Sequence, residues 1–294
     1  HGSFYEVKDG GRINDAARKV AERFHMKTYK FAGAGDHYVT ARFADDLKKK
    51  GLEAAREEFL KTLRERKAPE DKLNHPIFLS FFPEPSVGAY THAALPDYYG
   101  EPEAVFSPAE EDRFQWFLNG FVEGARIVKQ NFPGVKCLMP HGDPNFPVPF
   151  LRRSPELRKL IDGVTVDIPC FERLPEQQVH QVSIHRMYIG REEFRKAGIE
   201  KPVLAMYEGP CLPTGPGTLT QPEAADLHVR NALMLLAYGV DFQTGGFGGF
   251  DCAAAWGEQH YGGGVLYRVP LEMPKPAYAA FATLTRLLNR CNFD

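Results

Sequence analysis

The feature that most constrains this chain is a rhythm. Short apolar runs at residues 4–7, 28–32, 77–82, 136–140, 164–168, 203–207 and 240–243 alternate with longer stretches whose apolar residues recur at helical spacing. The helical stretches are predicted at 13–26, 41–66, 107–131, from Ser154-Pro155 to just before Gly163, within 176–197, from Thr220 to near Gly239, and 276–290, the last with Tyr278, Phe281, Leu284, Leu287 and Leu288 on its apolar side. A continuous apolar run bounded by turn residues reads as a strand covered on both faces, and strands alternating with helices read as repeated βα units on a parallel sheet. Two helix starts carry their own signature. Ser107-Pro108-Ala109-Glu110 and Thr220-Gln221-Pro222-Glu223 each combine a hydroxyl N-cap, a proline in the first turn and a glutamate that can reach back to the cap.

The seven units enumerated above fit a (β/α)8 barrel whose first strand lies outside this chain. The length, 294 residues, accommodates one such domain, which typically takes ~250. A doubly wound sheet is the competing architecture, but it announces itself with a glycine-rich phosphate turn after its first strand. Gly245-Gly246-Phe247-Gly248-Gly249 does not fit G-x-G-x-x-G and reads as a loop that lets a ligand approach closely.

Charge and cysteine usage remove several partner classes. Lys plus Arg total 36 against 38 Asp plus Glu, a net charge of -2, so there is no basic field to hold a nucleic acid. No window reaches the ~18 uninterrupted apolar residues of a membrane helix, and no signal-peptide pattern is visible. Five cysteines (Cys137, Cys170, Cys211, Cys252, Cys291) lack C-x-x-C pairing and are expected to be buried free thiols, with a bridge between two of them open if the protein is secreted.

In a (β/α)8 barrel the chemistry sits at the carboxyl ends of the strands. Glu84 follows the run at 77–82, and Glu208 follows the run at 203–207. Asp36 and His37 follow 28–32, His141 and Asp143 follow 136–140, Asp167 closes 164–168, and Gln243 lies on the last strand. A carboxylate after a strand is often only a helix cap or an ion-pair partner. The pair Glu84 and Glu208 carries more, because both have prolines nearby, Pro83 and Pro85 for the first and Pro210 for the second, and stand three strands apart, across the mouth of a barrel. Two carboxyl groups facing over a cleft suit glycosidic bond cleavage, in which one gives a proton and the other is ionised. Tyr38, Tyr90, Tyr98, Tyr99, Trp256 and Tyr261 fall in loops after strands, where flat rings can stack on sugars.

With these residues placed, the sequence resembles the retaining glycoside hydrolases of clan A, from about Thr28 onward. That group has a (β/α)8 barrel with an acid/base glutamate after strand four and a nucleophilic glutamate after strand seven. Taking residues 4–7 as strand two puts Glu84 and Glu208 on those positions. The ending His260-Tyr261-Gly262-Gly263-Gly264-Val265-Leu266 with Pro274-Lys275-Pro276-Ala277-Tyr278 also resembles the close of such barrels. The motifs are short and do not single out one family within the clan. One departure stands out: the clan usually has Asn before the acid/base glutamate, and here Pro83 occupies that place, leaving the sugar 2-hydroxyl contact to His141 or Asp36. Glu172 is the reserve carboxylate, although Phe171-Glu172-Arg173 also reads as an ion pair at a helix entry.

The resemblance implies a double displacement with Glu208 as nucleophile, Glu84 as acid and base, and no metal or organic cofactor. Asp36, His37, Tyr38, His141, Asp143, Asp167, Gln243, Trp256 and His260 are the candidate substrate-binding residues, and the partner is a carbohydrate. The whole of 1–294 is expected to be one catalytic domain within a longer polypeptide, and the substrate class implies a secreted or periplasmic protein. Two other readings remain open. His37, His141, His185 and His260 with Asp143 and Asp167 could serve a metal-dependent barrel hydrolase, although H-E-x-x-H and H-x-H spacings are absent. A barrel that binds carbohydrate without catalysis would carry the same aromatics.

Overall fold

The computed structural model describes residues 36–66, 77–80, 106–139, 147–170, 194–196, 203–210, 220–237, 242–245 and 274–288, with the single positions 23, 192, 198 and 200. The runs expected at 4–7, 13–26 and 28–32 lie outside these residues, apart from the single position 23. Among the described residues five strands form one sheet: β1 (Ile77–Ser80), β2 (Val135–Met139), β3 (Gly163–Cys170), β4 (Val203–Pro210) and β5 (Phe242–Gly245). They lie side by side in chain order, and every neighbouring pair is parallel. Parallel neighbours demand a crossover between each pair, and described helices lie in three of the four crossovers, while between β3 and β4 the described residues include helical positions 192 and 194–196. The order shows no reversal among these strands, unlike a doubly wound sheet.

The helices are α1 (Asp36–Lys50), α2 (Leu52–Arg66), α3 (Pro108–Asn131), α4 (Pro147–Arg153), α5 (Pro155–Leu160), α6 (Gln221–Ala237) and α7 (Pro276–Leu288). Both expected capping boxes are formed. The Ser107 hydroxyl accepts from the Glu110 N–H at 3.4 Å while the Ser107 N–H donates to the Glu110 carboxylate at 2.8 Å. At α6 the Thr220 N–H donates to Glu223 at 2.7 Å, and the Glu223 N–H donates to the Thr220 hydroxyl at 3.4 Å. Ser154 caps α5 by accepting from the Leu157 N–H at 3.1 Å.

Three expectations are corrected. The single helix over 41–66 is two helices, because Gly51 takes φ +83°. Its N–H donates to the Leu47 carbonyl and its carbonyl accepts from the Ala55 N–H, so one glycine closes α1 and opens α2. Helix α4 was not foreseen. Pro147 and Pro149 lie in its first turn, where no intrahelical N–H is needed, so these prolines are compatible with a helix. On α7, Tyr278 and Leu287, expected on the apolar side, are 49% and 69% exposed, whereas Ala277 and Leu284 are buried. The face that packs toward α6 is thus narrower than the sequence pattern, with the Phe281 ring meeting the buried His228 ring edge-on at 5.1 Å.

The core lies between the helices and one face of the sheet. Phe114, Phe117, Phe121, Ala125 and Val128 recur along α3 at helical spacing and are completely buried. They join Phe43 and Phe59 of α1 and α2, Phe150 and Leu151 of α4, and Leu157 of α5. From the strands the same cluster takes Leu79, Val135, Cys137, Met139 and Val164. Leu79 pairs with Cys137, and Met139 with Val164, so these belong to one face. Leu138 is also buried but stands outside this cluster, as alternation to the opposite face requires.

An ionic knot fastens α3 to the sheet. The Asp162 carboxylate accepts from the Cys137 N–H at 2.7 Å, while the Asp162 N–H donates to the Cys137 carbonyl at 2.8 Å. Lys129 forms an ion pair with the same carboxylate, and Lys136 stands 3.5 Å from it.

Candidate active site

Because β3, β4 and β5 are parallel, their carboxyl ends share one rim. Glu208 and Asp167 had been expected at the points where their strands stop. Both lie inside strands instead, since β4 continues to Pro210 and β3 to Cys170. The expected runs ended at Ile168 and Tyr207, but a ladder is built from backbone groups and runs on beneath polar side chains.

The register sorts the rim residues by face. Asp167 is level with Met206, which is level with Thr244. Gln243 is level with Ala205, which is level with Val166. Counting back by twos, Val166 continues the series of Val164, a member of the helix-covered core. Alternation therefore assigns Gln243 and Tyr207 positions to the helix-covered face, and Asp167 to the opposite one.

At Glu208 this alternation is interrupted. Ile168 pairs with Tyr207 and Cys170 pairs with Pro210, so β3 advances two residues while β4 advances three. Glu208 and Gly209 together stand opposite Pro169, which is a β-bulge at the rim. Bulges of this kind are concentrated beside active sites, where they re-aim a residue. Pro169 is the signal of this bulge in the sequence, since a proline within an interior strand is itself a sign of broken pairing.

Asp36, His37 and Tyr38 had been expected in a loop after a strand, and here they form the first turn of α1. Glu84, His141, Asp143, Trp256 and His260 lie outside the described residues, as do Glu172, His185, Tyr90, Tyr98, Tyr99 and Tyr261. Among the described residues no three His, Cys, Asp or Glu side chains gather as a metal site would require, and no helix is long and apolar enough to cross a membrane.

No protein-family model matches the chain, and no curated protein matches it in sequence. Solved structures do match. A glucosidase from Croceicoccus marinus superposes with a TM-score of 0.54 at 15% identity, over 80% of this chain and 46% of that one. A Bacteroides uniformis beta-glucuronidase 2, solved covalently bound to cyclophellitol-6-carboxylate aziridine, superposes with a TM-score of 0.53 at 11% identity, over 91% of this chain and 30% of that one. The chain shares its fold with clan A glycoside hydrolases. It spans less than half the length of either matched chain.

Proposed function

We propose that this chain is most of a (β/α)8 barrel catalytic domain of a retaining glycoside hydrolase acting on an oligo- or polysaccharide. The observation that carries the reading is the position of Glu208: near the carboxyl end of β4, displaced by a bulge, in a fold shared with a glucosidase and a glucuronidase. Counted as strands four to eight, β1 to β5 make β4 the seventh strand, whose end carries the nucleophile in that clan. Glu84 follows β1, the fourth strand in the same count, four positions after Ser80.

In this mechanism Glu208 attacks the anomeric carbon and displaces the leaving oxygen, which takes a proton from Glu84. Glu84 then removes a proton from water, and that water displaces Glu208 from the glycosyl-enzyme. The covalent capture of the Bacteroides uniformis enzyme by an aziridine is the behaviour expected of an active-site nucleophile, and supports a covalent mechanism by analogy. Asp167 stands on the opposite sheet face from the helix core and is assigned to hydroxyl binding, together with Asp36, His37, Tyr38, His141, Asp143, Trp256 and His260, whereas Gln243, at a position on the helix-covered face, is not. Carbohydrate polymers are met outside the cytoplasm, which agrees with a secreted or periplasmic enzyme.

The test is covalent trapping. Incubation with activated 2-deoxy-2-fluoroglycosides of several configurations, followed by peptide mass spectrometry, is expected to label the peptide containing Glu208, and the label should vanish in Glu208→Gln. Label on another peptide, with Glu84→Gln and Glu208→Gln both fully active on the substrate found, would overturn the assignment.

A further inference from the structure

We propose that Gly209, with Pro169 opposite it, is a positioning residue that sets the place of Glu208 at the rim; this rests on the reading of Glu208 as nucleophile. A regular ladder would put Glu208 level with Pro169 and Gly209 level with Cys170. The observed pairing puts Pro210 there instead, so one extra residue is held between Tyr207 and Pro210. Pro169 explains why the ladder gives way at this level. It has no N–H to donate, and proline is tolerated inside a sheet only where pairing is already broken. The pairing of β2 with β3 ends at Met139 and Val164, so at the level of Pro169 the described partner of β3 is β4 alone.

Gly209 supplies the other half of the device. Glycine lacks a Cβ and tolerates backbone angles that other residues resist, which is why it recurs in bulges. A β-branched residue at 209 favours the regular strand instead. Alternation fixes the residues up to Tyr207, and from Glu208 onward the local shape of the bulge replaces it. A displacement of about an ångström in a nucleophile is worth roughly a hundredfold in rate. The bulge is therefore placed where small backbone changes are felt most by the reaction.

The experiment uses the full chain and the 2-deoxy-2-fluoroglycoside that labels it. Trapping is followed in wild type, Gly209→Ala, Gly209→Val and Pro169→Ala, resolving the inactivation rate constant from the inhibitor's dissociation constant, with thermal midpoints measured alongside. Gly209→Val is expected to slow inactivation about a hundredfold while leaving the dissociation constant within about twofold. Gly209→Ala and Pro169→Ala are expected to slow it less, by roughly three- to tenfold, and they decide the matter if Gly209→Val does not fold. Wild-type rate constants in all folded variants would overturn the positioning role, as would a loss confined to the dissociation constant. Wild-type protein labelled at a carboxylate other than Glu208 would overturn the nucleophile reading itself, which is seen before any variant is made.

Discussion

Cys137 illustrates how burial decides chemistry at a single residue. Its side chain is wholly enclosed in the core on β2, and burial pushes the thiol up to about 12, with Lys129 pulling against that rise. The thiolate is the reactive form, so this cysteine is inert at ordinary pH. Iodoacetamide at mildly alkaline pH is expected to leave Cys137 unmodified in the native protein and to modify it after unfolding in guanidinium; rapid native modification, followed by mass spectrometry, would contradict the packing of β2. The expectation of a buried free thiol is met at Cys137, because a small apolar side chain within a strand-like apolar run has little else to do. Glu208 is the contrasting case. Its residue type and neighbourhood were visible in the sequence, but its place in a bulge depends on Pro169 in another strand, which no local pattern reports.

Among the elements, those that end on their own residues were the easiest to foresee. A capping box closes within four positions, so Ser107 with Glu110 and Thr220 with Glu223 were readable directly. Ser107→Ala is expected to cost about 1 kcal/mol at neutral pH, measured by urea denaturation. The Glu110 carboxyl is held below its ordinary value of 4.5, first by the bond from the Ser107 N–H and then by the Ser107 hydroxyl. A carboxyl lowered in the folded state stabilises it when ionised. That contribution is fully present above 4.5 and is lost as the pH falls through the lower folded value. Glu110→Gln should therefore flatten part of the acid limb of the stability curve, and an unchanged limb would contradict the capping geometry. The break at Gly51 was not readable in the same way. A glycine inside a helical pattern is often tolerated, and here the packing of α1 against both α2 and α3 accompanies a turn.

At the scale of the molecule, one aromatic cluster ties the parts together. The Phe150 ring stacks on Phe114 at 4.3 Å and meets Phe121 edge-on at 5.2 Å, so the unforeseen helix α4 is built into the centre of the core. Phe150→Ala is expected to cost about 3–5 kcal/mol by guanidinium denaturation, and a loss under about 1 kcal/mol would mean that α4 packs elsewhere. The order and parallel pairing of β1 to β5 followed from the alternation of strand and helix. Their ends and register did not, since these are set between strands and not along one. Strictly consecutive strand order has a further consequence, for synthesis. Each new strand pairs with the one made just before it, so as the chain leaves the ribosome its docking edge is already present. Assembly from β1 to β5 can therefore follow the order of synthesis, each strand docking on an edge already made, instead of waiting for the last residue.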